Sequence, residues 1–267
     1  NEDSGLSFTV ASDAFNDVDS GDSLTYTATL ADGSDLPSWL SFNASTRVFS
    51  GTPLNDNVGA ISVKVTATDG SSVAISDTFT LTINNTNDAP TVTNAIADQS
   101  VNEDSGLSFT VASDAFNDVD SGDSLTYTAT LADGSDLPSW LSFNASTRVF
   151  SGTPLNDNVG AISVKVTATD GSSVAISDTF TLTINNTNDA PTAVSLSATA
   201  INENSSGVVV GNLSTSDVDS GDSFTYTLSG DDADSFEVVS GQLKLKSSVS
   251  ADYENKTSYA VTVTSTD

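Results

Sequence analysis

Apolar and small polar residues alternate along several short segments of this chain. From Ile61 to Thr68 the residues Ile61, Val63, Val65 and Ala67 fall on one face, and Ser62, Lys64, Thr66 and Thr68 on the other. A period of two with this composition predicts a half-buried antiparallel strand. The same pattern recurs in LSFTVAS (residues 6–12), SLTYTATL (23–30), AISVKVTATD (60–69) and DTFTLTI (77–83). Val, Ile, Phe, Tyr and Thr dominate these runs, and clusters such as DVDSGD and GTPLNDN between them carry turn chemistry. No stretch has the apolar spacing of a three-turn helix.

The chain also repeats itself. Residues Asn1 to Thr91 recur unchanged from Asn102 to Thr192, and a third, diverged copy opens at Ile201 with INENSSG. A spacing near 100 residues suits a whole small domain better than a solenoid unit. About seven short strands per unit, regular turn signals and no cysteine pair predict immunoglobulin-like sandwiches without the disulfide. The expected domains are 1–88, 89–189 and 190–267, joined by NNTNDAPT at 84–91 and 185–192. Pro90 and Pro191 stop each preceding strand, because proline offers no N–H to a ladder. Linkers this short set consecutive sandwiches end to end, with loops of both facing one gap. The first unit has no counterpart of VTNAIADQSV (92–101), and the third none of GSSVAISDTFTLTI (171–184). A first strand is therefore expected to be missing from one unit and a last strand from the other, leaving open sheet edges. The middle unit is expected to be the most regular and the most stable.

Composition narrows the chemistry. Among 267 residues there are 36 Asp and Glu against 7 Lys and Arg, a formal charge of −29, with no His, Cys or Met. Without Cys or His there is no disulfide framework, thiol nucleophile, imidazole base or usual transition-metal ligand set. The acidity argues against nucleic acid and anionic membrane surfaces, and no run is apolar enough for direct membrane insertion. The lack of Met, of a charged leader and of an apolar core to one suggests a segment of a larger protein. A hard cation is the natural small partner of such a carboxylate-rich chain.

The carboxylates fall in recurring places. DVDSGDSLTYT (118–128) matches DVDSGDSFTYT (217–227), Asn102–Glu103 matches Asn202–Glu203, and VKVTATD ending at Asp170 matches VTVTSTD ending at Asp267. An early NE, a D-x-D loop before a TY strand, a later V-x-V-T-A-T-D and an N-D-x-P linker together resemble cadherin repeats. LPSWLSFNASTRVFSGTP (36–53 and 137–154) is similar to the dystroglycan-type cadherin-like domains of large bacterial surface proteins. ADYEN (251–255) in the third unit resembles the D-x-E element of ordinary cadherin repeats.

The resemblance implies an all-β fold of tandem Greek-key, cadherin-like sandwiches with calcium between successive domains. At the first junction it implies Glu2, Asp56, Asn87, Asp88, Asp118, Asp120 and Asp170 as ligands, with Asp123 beside them. At the second it implies Glu103, Asp157, Asn188, Asp189, Asp217, Asp219 and Asp267, with Asp222. The D-x-E element is replaced by NDN in the first two units, and the linker is one residue shorter than the family's longer form. Fewer than three ions per junction follow.

Calcium takes about six to eight oxygens at roughly 2.3–2.6 Å, and the D-x-D spacing is expected to bring two carboxylates to one centre. The implied role is a calcium-stiffened stalk or adhesive segment of a bacterial surface or secreted adhesin, outside the cell, with neighbouring repeats as partners. A carbohydrate-binding module, whose partner is a polysaccharide, and calcium-dependent adhesion to the same repeats on another cell are the alternatives. Trp39 and Trp140 are expected in the core, flanked by Leu and Phe, more than on a sugar platform. Paired carboxylates can hydrolyse glycosides, but these repeat on junction loops without a cleft, so no enzyme is expected.

Overall fold

The computed structural model describes residues 1–19 and 21–267; position 20, inside the first DVDSGD turn, lies outside them. The first unit comprises β1 (Leu6–Thr9), β2 (Thr25–Leu30), β3 (Leu40–Asn43), β4 (Val48–Gly51), β5 (Gly59–Thr68) and β6 (Ala74–Ile83). They form two sheets, β1-β4-β3 and β2-β5-β6, all antiparallel. The chain crosses between the sheets after β1, after β2 and after β4, which is Greek-key, Ig-like wiring.

The second unit repeats this plan and adds to it. Its strands are β7 (Thr91–Val92), β8 (Gln99–Asn102), β9 (Leu107–Thr110), β10 (Phe116–Asn117), β11 (Thr126–Leu131), β12 (Leu141–Asn144), β13 (Val149–Gly152), β14 (Gly160–Thr169) and β15 (Ala175–Asn185). The sheets are β12-β13-β9 and β11-β14-β15-β8, and β7 and β10 form a small two-stranded sheet. β8 runs parallel to the end of β15, with Leu182 opposite Gln99 and Ile184 opposite Val101. The third unit has β16 (Ala193–Leu196), β17 (Val209–Ser216), β18 (Thr225–Ser229), β19 (Phe236–Val239), β20 (Gln242–Leu245) and β21 (Thr262–Thr266), in sheets β16-β17-β20-β19 and β18-β21. The only helical pieces among the described residues are 3-10 turns at Asn55–Asn57, Asn156–Asn158 and Ala233–Ser235. No helix there is long and apolar enough to cross a membrane.

Alternation becomes packing. In β14 the burial pattern alternates from Ile162 onward, with Val164, Val166 and Ala168 fully enclosed. They face an aromatic cluster in which the Phe150 ring lies 4.6 Å from Phe143 and 5.6 Å from Phe180. Trp39 and Trp140 are half-buried against the same cores, as the flanking Leu and Phe predict. The carbonyl of each tryptophan lies so close to Gly51 or Gly152 that an added Cβ would stand 1.9 Å from its oxygen, so only glycine fits.

Identical sequences acquire different burial. Phe180 and Leu182 are buried, whereas their duplicates Phe79 and Leu81 are only half-buried. Residues 92–101 make the difference. Ile96 packs on the second core and donates its N–H to Asp178 Oδ2 at 2.7 Å, and Thr181 N–H donates to Asp98 Oδ1 at 2.7 Å. Among the described residues nothing pairs with the outer edge of β6, or with the edge of β21 away from β18.

Candidate metal centres at the junctions

Glu2 precedes β1 and is held against the far end of β6, because its own N–H donates to Asn84 O at 3.0 Å. Its Oε1 accepts the N–H of Thr86 in the linker at 2.8 Å. Glu103 repeats the arrangement with Thr187 N–H at 2.6 Å. Both side chains are shut off from solvent, Glu2 at 0% and Glu103 at 1% exposure. Their counterpart Glu203, with no linker amide over it, is exposed.

The following unit contributes the D-x-D loop. Asp118 Oδ1 accepts the N–H of Asp120 at 3.0 Å, an Asx turn that fixes the loop, and Asp217 holds Asp219 in the same way. Asp120 in turn accepts the N–H of linker residue Asp88 at 2.8 Å, and Asp219 that of Asp189 at 2.5 Å. Asp170, at the end of β14, caps the turn into β15 by accepting the N–H of Ser172 and Val174.

These contacts gather the carboxylates into two groups at each junction, each with oxygens within 4.8 Å of one another. Glu2, Asp88 and Asp120 form one at the first junction, and Asp118, Asp123 and Asp170 the other. At the second they are Glu103, Asp189 and Asp219, and Asp217, Asp222 and Asp267. At both junctions the two carboxylates of the D-x-D therefore go to different groups rather than to one centre. The linker is the reason: Asp120 and Asp219 turn towards it to accept the N–H of Asp88 and Asp189, whereas Asp17 and Asp19, joined by the same Asx turn, share one group.

Asp56 and Asp157 belong to neither group. They are exposed on their 3-10 turns, while the preceding residues face the junction. Asn55 donates to Asp88 Oδ2 at 2.7 Å, and Asn156 to Asp219 Oδ1 at 3.1 Å. Sequence reasoning passed over these two, and also Asn186, which donates to Asp219 Oδ1 at 3.0 Å. It passed over Asp17, Asp19 and Asp22 as well, which cluster at the far tip of the first unit. The exact duplication of DVDSGD was the available signal for that trio. Asn87 reaches Asp170 Oδ2 at 3.0 Å, and Asn188 reaches Asp267 Oδ2 at 2.6 Å.

One oxygen of most of these buried carboxylates is left over. Glu2 Oε2, Glu103 Oε2, Asp118 Oδ2, Asp120 Oδ1, Asp217 Oδ2 and Asp222 Oδ2 have no hydrogen-bond partner. An orphaned, charged oxygen is costly, and a pair of carboxylates about 4 Å apart repels by about 4 kcal/mol even at an effective dielectric of about 20. Burial pushes Asp189 above the usual carboxylate range, with Asp104, Asp219, Glu103 and Asp217 adding to it. Burial likewise raises Asp222, helped by Asp219, Asp217 and Asp267. Asp170 is lowered, chiefly by the Asn87 amide. An all-oxygen set of carboxylates and amide carbonyls from two units and a linker matches what a hard divalent cation requires.

Comparison with known proteins agrees with the architecture. The chain is 35% identical over 145 residues to the serine-rich adhesin for platelets of Staphylococcus aureus strain USA300, a match covering 54% of this chain and 6% of the adhesin. The same adhesin from strain MRSA252 matches equally, over 10% of its length. The chain thus spans a small fraction of these relatives. In fold it is similar to the extracellular domain of protocadherin gammaB4, with a TM-score of 0.64 at 18% identity over 97% of this chain and 43% of that one. Human CDH23 EC21-23 gives 0.62 at 19% identity over 91% of this chain and 87% of that one. The family model described as putative Ig domain matches residues 1–84 and 89–185, and the chain belongs to that family as a tandem array of Ig-like domains with a cadherin-like fold.

Proposed function

We propose that this chain is a calcium-stiffened segment of an extracellular or bacterial surface adhesin, with domains 1–88, 89–189 and 190–267 locked at their junctions by the ion. The observation that carries the reading is the set of partnerless carboxylate oxygens concentrated at both junctions. Hydrogen bonding within the protein leaves them unsatisfied, and a cation is the partner their chemistry calls for.

Glu2, Asp88 and Asp120 would hold one ion at the first junction, and Asp118, Asp123, Asp170 and Asn87 a second. Glu103, Asp189 and Asp219, and Asp217, Asp222, Asp267 and Asn188, would do the same at the second. Bound calcium supplies positive charge that turns mutual repulsion into attraction across the linker. The protein's part is to place oxygens from the base of one sandwich, the linker and the top of the next within reach of one point. Asp56 and Asp157 are not included. The adhesin relatives support adhesion as the setting, with the array holding binding regions apart or taking part in contact itself.

The carbohydrate-binding alternative draws no support from Trp39 and Trp140, which pack into their cores. Small-angle scattering in millimolar calcium and in excess chelator tests the proposal. The expected outcome is a longer, narrower distance distribution with calcium and a broad one without it, with strand content unchanged by circular dichroism. Identical distributions, together with no heat in a calcium titration, would falsify it.

A further inference from the structure

The buried centres at the two junctions are short of oxygen. At the first, Glu2 Oε1 accepts the N–H of Thr86, Asp120 Oδ2 that of Asp88, and Asp88 Oδ2 the amide of Asn55. Glu2 Oε2 and Asp120 Oδ1 are buried and partnerless, so the group is not satisfied within itself. One free oxygen on each of the carboxylates in this group falls well below the roughly six to eight oxygens that calcium takes. A further side chain has to supply oxygen, and the structure places one against the group.

Asn55 opens the 3-10 turn Asn55–Asn57 at the base of the first unit. Such a turn sends successive side chains about 120° apart, so the residues of NDN have separate roles. Asn57 closes the turn, its Oδ1 accepting the N–H of Leu54 at 2.9 Å, Asp56 faces solvent, and Asn55 is half-buried against the linker. Asn156–Asn158 repeats this, with Asn158 Oδ1 accepting from Leu155 at 2.9 Å. The two copies then differ. Asn55 donates to the linker carboxylate, Asp88 Oδ2, at 2.7 Å, whereas Asn156 donates to the loop carboxylate, Asp219 Oδ1, at 3.1 Å. Asp88 and Asp120, like Asp189 and Asp219, belong to one buried group. The same side chain in the same sequence therefore reaches different members of its group, which sets its head between them. Asn186 also donates to Asp219, at 3.0 Å, but its counterpart Asn85 makes no such bond to Asp120, whose Oδ1 is left without a partner.

We propose, building on the calcium reading above, that Asn55 and Asn156 are ligands of the buried cation through their side-chain carbonyl oxygens. In the cation-free junction the NH2 end of the amide stands among the carboxylates. With the amide turned over, the oxygen of the same group takes that position. The neutral ligand comes from the residue beside Asp56 and Asp157, whose carboxylates stay in solvent.

The test is a calcium titration of the whole chain followed by NMR at the amide protons of Thr86 and Thr187, which sit on Glu2 and Glu103 and report each buried centre by itself. Asn156→Ala is expected to move the Thr187 curve to at least tenfold higher calcium and to leave the Thr86 curve in place. Asn156→Asp keeps an oxygen there, so its Thr187 curve is expected at or below the wild-type calcium concentration, while the added charge lowers its melting temperature in chelator. Asp157→Ala is expected to overlay the wild type. Circular dichroism in chelator checks that each variant folds, and Asn55→Ala, read at Thr86, is an independent second variant. An unmoved Thr187 curve in folded Asn156→Ala would overturn the assignment. So would equal weakening by Asn156→Asp, which would make the NH2 group and not the oxygen the part that matters. Thr86 and Thr187 signals that ignore calcium in the wild type would instead overturn the calcium reading, and this inference with it.

Discussion

The side-chain amide of Asn87 donates to Asp170 Oδ2 at 3.0 Å, so a linker residue and the residue that follows β14 in the next unit are joined across the first junction. Asn188 and Asp267 repeat the contact at the second. In this orientation the amide nitrogen occupies the side from which a cation would need the carbonyl oxygen. Calcium loading therefore requires the amide to turn. Replacing Asn87 by Ala is expected to leave the cation-free fold intact, since the residue is exposed. It is expected to weaken calcium binding at the first junction by roughly tenfold or more. Calorimetric titration of the wild type and of Asn87→Ala tests this, with the second junction as internal reference. An unchanged isotherm would remove Asn87 from the ligand set.

Glu103 makes an opposite demand on the two states. Without a cation its Oε2 is a buried, partnerless anion beside Asp189 and Asp219. Glu103→Gln keeps an oxygen for the N–H of Thr187 and replaces the orphan with a donor facing two carboxylates. The variant is expected to melt higher than wild type in chelator, by a free energy on the order of 1–3 kcal/mol. In millimolar calcium it is expected to melt lower, because binding adds less stability when affinity is lost. A variant that shifts melting in the same direction under both conditions would mean that Glu103 is a structural residue only.

Under the proposed function, protons and calcium compete at the second junction. Burial and neighbouring carboxylates raise both Asp189 and Asp222 above the ordinary value of 3.8. A raised carboxylate favours the folded, cation-free junction when protonated. That contribution is fully present below 3.8 and is lost as pH rises through the raised folded value. Calcium requires the ionised form, so its affinity runs the other way and falls as pH drops through the same window. Binding there is expected to release protons, which is measured by titration in two buffers of different ionisation enthalpy. Equal apparent enthalpies in the two buffers, within that pH window, would contradict it.

The fold was legible because the strands are written in strict alternation. ISVKVTATD gives the inward face of β5 and β14 residue by residue, and exact duplication gives the number of units. The carboxylate clusters were legible as a set but not as a partition. Asp118 and Asp120 are two residues apart, and the linker N–H of Asp88 draws Asp120 into a different group, whereas Asp17 and Asp19 with the same turn share one. On the NDN 3-10 turn the expected ligand Asp56 is exposed, while the residue before it, Asn55, donates to Asp88. The contrasting burial of Glu103 and Glu203 depends on a linker amide 84 residues away from Glu103 in the chain, which no local pattern carries.

Because the first two units share one sequence, they form an internal control for context. The amide hydrogens of Thr80 and Thr82 in β6 are expected to exchange faster than those of Thr181 and Thr183 in β15. Thr181 N–H is held by Asp98, and β8 covers the edge of β15. Hydrogen exchange by NMR distinguishes the two sets by residue, and equal protection would show that residues 92–101 add no stability to the second sandwich.

Gly152 provides the sharpest test of packing. An added Cβ would lie 1.9 Å from the carbonyl oxygen of Trp140 and 3.0 Å from its carbon, both backbone atoms that cannot swing aside. Its φ is not among the positive ones, so the requirement is space and not conformation. Gly152→Ala must push β12 and β13 apart at the end of the hairpin away from its turn, and overpacking of this kind costs about 1–3 kcal/mol or more. Gly106 is the matched control: nothing lies within 4 Å of its Cβ position and its φ is not positive either. Gly106→Ala is expected to be neutral or to stabilise by up to about 1 kcal/mol, through the lower entropy of the unfolded chain. Chemical denaturation of the two variants side by side measures the contrast. If Gly152→Ala matched Gly106→Ala, the tryptophan carbonyl would have to be free to move, and the close approach of the two strands there would not be what selects glycine.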